Sequence, residues 1–419
     1  MYKPHIAIID DGVNEKLYKT GELKYNIEIT PDLQVCERVD YDHFLPSHGT
    51  TCAAIVKKYA PESVLSSIKI LNGESHTGMK AQLIKALEWC VQNGIHLVNL
   101  SLGTVDYRDF IEIREAVKHA SENFVVIVAA CNNRTVFTCP ASLEYAVGVK
   151  CDTDEILMEN EYIYNSKSPD GIEITANGCH RLEKFNGESK TTSICNSYAA
   201  PAVTALVYEI IKNNPNILLP EIKEKLKNTS ISIDSTGKET SIPRNHSFNN
   251  VTDKNIDVPI ITLYNYCEKK PEYLTRKLTG AFRNDGYNAI NIFEGKTTGQ
   301  DYCTGHICIN SVIESKDSSP SEGLQIIFNV FDPDIIILSV DLANEHKKNY
   351  IKDIEGKFET DVNINIYEDF NIEIKSSDET RTFALQEDLK IDGLYSYITG
   401  LFAKHGTDYE TALYKQSLK

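Results

Sequence analysis

Residues 196–203 read Asn-Ser-Tyr-Ala-Ala-Pro-Ala-Val, a pattern that predicts a helix beginning at a serine. Upstream, residues 47–53 read Ser-His-Gly-Thr-Thr-Cys-Ala, which predicts another helix start, here at a histidine. Residues 6–12 read Ile-Ala-Ile-Ile-Asp-Asp-Gly, a short apolar strand that ends in two carboxylates. A serine hydroxyl is activated by a base beside it, and that base needs a buried acid to hold its tautomer. The three stretches therefore supply one candidate member each of a charge-relay set, in the chain order Asp, His, Ser.

The segments between these stretches follow the framework of one known family. Ser-Leu-Gly at 101–103 comes directly after an apolar strand, and Ala-Ala-Cys-Asn at 129–132 closes another. The order Asp, His, Ser is the one found in subtilisin. Over residues 1–235 the chain resembles the subtilisin-like serine proteases, the subtilases.

The resemblance assigns a nucleophile and a base. Ser197 is the expected nucleophile, because the nearby Ser193 lacks the Ala and Pro that follow in the family pattern. His48 is the expected general base, since His43 lacks the Gly-Thr that follows His48. An imidazole is suited to this work because its ordinary pKa lies near neutrality.

Asp10 is the expected orienting acid, because the family places it directly after the strand. Adjacent side chains at a strand end point in opposite directions, so only one of Asp10 and Asp11 can face the histidine. Asp11 stands where the family has Ser or Thr. Its extra negative charge predicts a raised pKa for His48 and an activity optimum shifted to higher pH.

Asn132 is the expected side-chain donor of an oxyanion hole, together with the backbone N–H of Ser197. A simple turn role for Asn132 stays open, since Asn133 follows it. The resemblance also implies a groove in which an extended peptide adds as a strand. Its expected substrate-binding residues are Ser75, Gly78, Ser101, Leu102, Gly103, Ala130, Cys131 and Thr138.

Two cysteines depart from the family pattern. Cys131 replaces a Gly that lines the primary specificity pocket, with Thr138 near the pocket floor. A narrowed pocket predicts small or modest side chains on the acyl side of the cleaved bond. Cys195 replaces another Gly, and it would be strained if that position needs an unusual backbone angle.

Short Ile/Val/Leu runs alternate with helical patterns through the first half of the chain. This alternation predicts an α/β fold with a subtilisin-like doubly wound parallel sheet and helices on both faces. The predicted organisation is a peptidase domain at 1–235, a Ser/Thr/Asn/Lys-rich linker at 236–256, and a second, smaller α/β domain at 257–419. The run after that domain's first strand, 264–270, lacks a phosphate-binding Gly-rich loop, so we interpret the domain as a binding or assembly module.

Composition narrows the function classes. The 419 residues carry a net charge of −17 without a Lys/Arg block, which argues against nucleic acid as a partner. No run of about 18 apolar residues is present, so no membrane partner is expected. The segment between Tyr59 and Leu65 is too short for the family's calcium loop, and Cys303, His306 and Cys308 fit no standard zinc pattern. Neither a cofactor nor a metal is expected, and the oligomeric state stays open.

The compartment is expected to be the cytoplasm. The 11 cysteines show no paired spacing of a secreted scaffold. Residues before Asp10 include no apolar signal stretch and no propeptide.

The expected function is an intracellular serine endopeptidase acting on a peptide or protein substrate. A selective task, such as removal of a leader from a ribosomally made peptide, fits an appended domain that binds the precursor. The alternative is a pseudoprotease, a peptide-binding module whose triad is weakened by the departures at Cys195 and Asp11.

Overall fold

The computed structural model describes residues 2–72, 78–134, 136–166, 168–231, 256–267, 272–295, 300–312, 319–342, 358–367, 371–376, 379–384 and 391–404. Contacts along the chain divide it into two compact units, Met1–Ser247 and Phe248–Lys419. Almost all of the expected linker, 236–255, lies outside the described residues, so the expected domain boundaries stay a prediction.

The first unit alternates strands and helices. Its strands are β1 (His5–Asp10), β2 (Asn26–Ile29), β3 (Val35–Glu37), β4 (Val64–Lys69), β5 (Leu97–Leu100), β6 (Val126–Ala130), β7 (Val147–Cys151), β8 (Tyr162–Tyr164), β9 (Ile174–Ala176), β10 (Arg181–Glu183) and β11 (Ser189–Thr191). Its helices are α1 (His48–Tyr59), α2 (Lys80–Gln92), α3 (Phe110–Glu122), α4 (Asn196–Asn213) and α5 (Leu219–Thr229).

Nine of these strands form one sheet in the order β3-β2-β4-β1-β5-β6-β7-β9-β8. The seven central strands are mutually parallel, and antiparallel pairing is confined to the edges, β3 with β2 and β8 with β9. All six residues of β1 are buried, as a strand covered on both faces requires. The expected doubly wound α/β class is confirmed. The edge strands β2 and β3 were not predicted from the sequence because they are short and weakly apolar.

Helix α4 lies within the main core of this unit. Its Ala199, Ala200 and Val203 are fully buried in one cluster with Ala53 of α1 and Ile8 of β1. Small side chains at the start of α4 let that end approach α1 and the sheet closely. The start of α4 is thereby held beside the start of α1.

The second unit has its own core. Its strands are β12 (Ile260–Asn265), β13 (Ala289–Phe293), β14 (His306–Cys308), β15 (Ile335–Asp341), β16 (Val362–Ile366), β17 (Asn371–Lys375) and β18 (Thr380–Ala384), and its helices are α6 (Glu272–Asn284), α7 (Pro320–Phe331) and α8 (Ile391–Lys404). They form a sheet in the order β14-β13-β15-β12-β16-β17-β18, parallel up to β16 and antiparallel beyond it. Among the helices that the structure describes in either unit, none is long and apolar enough to cross a bilayer.

Candidate active site

Asp10 is the last residue of β1 and is completely buried. Strand β1 lies between β4 and β5, where the winding of the sheet reverses direction. In open parallel sheets, the carboxyl ends of strands at such a reversal form the crevice in which ligands bind. The sequence thus places a buried carboxylate at the point of the sheet where a site is most expected.

His48 is the first residue of α1, next to Asp10. Ser47 caps this helix by accepting a hydrogen bond from the Thr50 N–H. The His48 Nδ1 lies 2.9 Å from both carboxylate oxygens of Asp10. Gly49 permits this approach, because a Cβ there would lie 2.9 Å from the Asp10 Cβ. Asp10 is therefore the carboxylate that orients the imidazole.

The Asp11 carboxylate accepts hydrogen bonds from two backbone N–H groups at the start of α1. Its Oδ2 accepts from the His48 N–H at 3.0 Å and its Oδ1 from the Gly49 N–H at 2.8 Å. A carboxylate at a helix N-terminus satisfies otherwise unpaired N–H groups and is stabilised by the helix dipole. Asp11 thus fixes the start of α1, and with it the position of His48.

The pKa of His48 is raised above its ordinary value. Burial alone would lower it, but the hydrogen-bonded Asp10 carboxylate outweighs that effect. The group responsible is thus Asp10, whereas the sequence had pointed to Asp11. Burial raises the pKa of the Cys52 thiol itself, so Cys52 stays neutral near pH 7.

Ser197 lies in the first turn of α4, close to His48. Its carbonyl accepts from the Ser101 Oγ at 2.8 Å and lies 3.7 Å from the Cys52 Sγ. That sulfur is 4.0 Å from the His48 Nδ1, and the Tyr198 ring stacks on the His48 ring with centroids 5.4 Å apart. The start of α4, which carries Ser197, therefore lies beside the hydrogen-bonded His48 and Asp10.

The alternative candidates for base and nucleophile, His43 and Ser193, have different surroundings. The His43 Nδ1 lies 2.7 Å from a carboxylate oxygen of Glu15, outside this cluster. Ser193 is exposed and precedes the helix.

The strain considered for Cys195 is not found. Its backbone is extended, with φ −158° and ψ 159°, a conformation that any residue adopts. Replacing a Gly by Cys at this position therefore carries no backbone cost.

Asn132 follows β6, and its amide is oriented by a local hydrogen bond. Its Oδ1 accepts from the Arg134 N–H at 2.8 Å, so its Nδ2 is the group left to donate elsewhere. Its own N–H donates to the Thr138 Oγ1 at 2.9 Å. Thr138, expected near the pocket floor, thus also holds the backbone of Asn132.

Asn196 was not singled out from the sequence. It is buried, its Oδ1 accepts from the Cys151 N–H at 2.7 Å, and its Nδ2 donates to the Asn132 carbonyl at 3.1 Å. The residue before Ser197 therefore ties the start of α4 to the candidate oxyanion residue. In the sequence, Asn196 is only a polar residue at a position where the family has Thr. That substitution does not reveal which groups the side chain contacts.

The remaining expected groove residues lie at or close to the ends of β4, β5 and β6. Ser101 is buried, and its side chain supports Ser197, while Leu102 and Gly103 continue past β5. A Cβ on Gly103 would lie 2.8 Å from the Cys139 carbonyl oxygen, so this position requires glycine.

Ala130 and Cys131 are buried at the end of β6, and burial raises the pKa of the Cys131 thiol to about 12. Gly78 packs against Ile70, where a Cβ would lie 2.9 Å from the Ile70 carbonyl oxygen. Ser75 lies outside the described residues.

Among the described residues, one cluster has ligand types that suit a metal: Asp10, His48 and Cys52, with ligand atoms within 4.8 Å of one another. Two of its members already form the carboxylate–imidazole hydrogen bond of the site. We therefore interpret the cluster as part of the candidate active site.

Comparison with known proteins agrees with this geometry. The model of the subtilase family matches residues 3–258. Subtilisin Savinase from Lederbergia lenta is 30% identical over 242 residues, covering 54% of this chain and 87% of that protein. An alkaline protease from Alkalihalobacillus alcalophilus is also 30% identical over 242 residues, and the match spans 62% of its length.

Solved structures with a similar fold include a lanthipeptide protease, with 18% identity and a TM-score of 0.44, covering 56% of this chain and 82% of that one. The nisin leader peptidase NisP from Lactococcus lactis aligns with 14% identity and a TM-score of 0.43, covering 56% and 85%. The family match spans more than half of the chain. The chain belongs to the subtilase family and is a subtilisin-like serine endopeptidase.

Proposed function

We propose that Asp10, His48 and Ser197 are the catalytic triad of this endopeptidase. The observation that carries the proposal is the hydrogen bond of 2.9 Å between the fully buried Asp10 and His48 Nδ1, beside the start of α4. A carboxylate without solvent contact that faces Nδ1 holds the imidazole in the tautomer that leaves Nε2 free to accept a proton.

In this mechanism the Ser197 Oγ attacks the carbonyl carbon of the scissile bond while His48 Nε2 takes its proton. The tetrahedral intermediate collapses, the proton passes to the leaving amine, and an acyl-enzyme remains. Water, deprotonated by the same imidazole, then releases the acid and regenerates Ser197.

The developing oxyanion is stabilised by the Asn132 Nδ2 and the Ser197 N–H. The Asn132 amide supports this role, because its oxygen is already occupied by the Arg134 N–H. For subtilisin, loss of the equivalent donor costs about 10²–10³ in turnover.

We further propose that the groove prefers small or modest side chains on the acyl side of the cleaved bond. Cys131 adds a side chain where the family has Gly. Thr138 contacts the opposite edge, since its Cγ2 would lie 2.9 Å from a Cβ on Gly103. Both features narrow the space available to a substrate side chain.

The physiological task that we propose is selective cleavage, such as leader removal from a ribosomally made peptide. A narrow pocket and a second folded unit support selectivity over general digestion. Incubation with a denatured proteome, followed by mass spectrometry, is the check. Few cleavage sites are expected, and extensive digestion would contradict the proposal.

We also propose that the enzyme works in a reducing compartment, the cytoplasm. Buried free thiols such as Cys52, Cys90 and Cys131 support this assignment. Thiol trapping with an alkylating reagent in intact cells should find these cysteines reduced, and finding them oxidised would contradict it.

Turnover of a fluorogenic peptide tests the triad. Ser197→Ala and His48→Ala should each lower kcat by roughly 10⁶, the loss measured for the corresponding subtilisin residues. His43→Ala is the matched control and should retain activity. Activity that survives Ser197→Ala would overturn the assignment. A folded but inactive wild-type protein would favour the pseudoprotease, although the extended backbone of Cys195 supports an active enzyme.

A further inference from the structure

The second unit contains a cleft at the carboxyl end of β12. It encloses about 570 Å³ of empty space, part of it open to solvent. Strand β12 lies between β15 and β16, and the strands that precede β16 in the chain all lie on the β15 side. The cleft therefore occupies the reversal point of a parallel sheet, the place where such sheets bind ligands. No part of the peptidase site is in this unit.

His306 lines the cleft and is only 3% exposed. Its Nδ1 accepts from the Asn291 Nδ2 at 3.3 Å, and the Asn291 Oδ1 accepts from the Ser339 Oγ at 2.6 Å. This chain of hydrogen bonds places the imidazole proton on Nε2. Among the described residues, Nε2 has no hydrogen-bond partner. Because His306 lines the cleft, this Nε2–H donor is available to an acceptor bound there.

The charge around His306 favours an anionic acceptor. Burial, together with the positive charges of Arg276 and Arg283, lowers the pKa of His306 to about 4. The opposing effect of the Asp301 carboxylate is smaller. The ring is therefore neutral at pH 7 and lies in a positive field. Arg276 itself lines the cleft from α6.

The rest of the lining adds acidic and apolar groups. Glu272, Glu294 and Asp341 place carboxylates along the cleft. Leu263 and Val340 supply apolar surface. These carboxylates would repel a polyphosphate ligand. They would attract the ammonium group of a molecule that carries both a cation and an anion.

We propose that this cleft binds a small zwitterion with an apolar side chain, either a free α-amino acid or a short peptide with charged termini. Its carboxylate accepts from His306 Nε2–H and pairs with Arg276. Its ammonium group faces the carboxylates, and its side chain packs on Leu263 and Val340. Free termini are what peptide-bond hydrolysis generates, so this ligand class includes the products of a peptidase.

Isothermal titration calorimetry on the full chain carrying Ser197→Ala tests the proposal without substrate turnover. The probes are phenylalanine, the dipeptide Leu-Phe, phenylalaninamide and 3-phenylpropionate. Saturable binding is expected for phenylalanine or Leu-Phe. The one that binds more tightly shows whether the cleft takes a free amino acid or a short peptide. Loss of either charge, in the amide or in the phenylpropionate, should weaken binding roughly tenfold or more.

Two variants locate the binding. His306→Asn can retain an acceptor towards Asn291 but has nothing at the Nε2 position, and the exposed Arg276→Gln removes the cation. Each should weaken binding of the zwitterion roughly ten- to a hundredfold, while Lys277→Gln, an exposed neighbour on the same helix, leaves it unchanged. If His306→Asn fails to fold, the affinity of Arg276→Gln for the zwitterion is sufficient to test the proposal. Absence of saturable binding up to about 10 mM, or binding unaffected by the variants, would overturn the proposal.

Discussion

At the residue scale, Asn196 connects the proposed nucleophile to the proposed oxyanion donor. Asn196→Asp keeps the acceptor for the Cys151 N–H but loses the Nδ2 donor to the Asn132 carbonyl. Because a misplaced donor acts mainly in the transition state, kcat should fall roughly ten- to a hundredfold with little change in KM. Steady-state kinetics on a fluorogenic peptide measures this. An unchanged kcat, or a loss carried by KM alone, would count against a positioning role.

The pH dependence of activity is expected to follow the titration of His48, the proposed general base. The general base must be neutral to accept a proton, so activity rises as pH increases through its pKa. Since Asp10 raises this pKa, the acid limb of kcat/KM should have its midpoint above 6.5.

Cys52→Val keeps the volume but removes the sulfur. Because the neutral thiol adds no charge beside His48, the acid limb of this variant should keep its midpoint. Cys36→Ser, a change at an exposed thiol, is the control and should also leave the profile in place. A wild-type midpoint below 6.5 would contradict the site geometry.

At the element scale, the loop after β6 is proposed to set the width of the specificity pocket. Cys131→Gly restores the family residue and removes a buried side chain beside the groove. The variant should cleave after Phe or Tyr several-fold better than the wild type, because one pocket group is worth roughly tenfold or more in discrimination. Peptide-library profiling compares the two enzymes, and Cys90→Ala, at a buried position in α2, is the control. A wild-type preference for Phe or Tyr would refute the narrow pocket.

Much of the element order could be predicted from the sequence. The helix start predicted within 47–53 is that of α1, and the strand predicted within 6–12 is β1. Apolar periodicity determines such elements locally. The partners of Asn196 could not be predicted, because Asn132 and Cys151 approach it only when three separate segments pack together.

The proposed triad could be predicted for a different reason. Each of its members is accompanied by small residues that the geometry requires, as Gly49 shows beside Asp10. The capping role of Asp11 was not apparent, since the sequence does not tell which way a carboxylate after a strand will turn.

At the scale of the whole molecule, the net charge of −17 predicts electrostatic steering. Long-range attraction raises the association rate of cationic substrates and is screened by salt. The kcat/KM for a peptide with flanking lysines should therefore fall several-fold between low and high ionic strength. The same peptide with flanking glutamates should show the opposite trend, and equal salt responses for both would rule out steering.

The most direct test of the central claim is labelling with a fluorophosphonate probe, which reacts with activated serines. The wild type and Ser193→Ala should both be labelled, whereas Ser197→Ala should not. Circular dichroism establishes that each protein is folded. Labelling that persists in Ser197→Ala, or a folded wild type that never reacts, would contradict a triad built on Ser197.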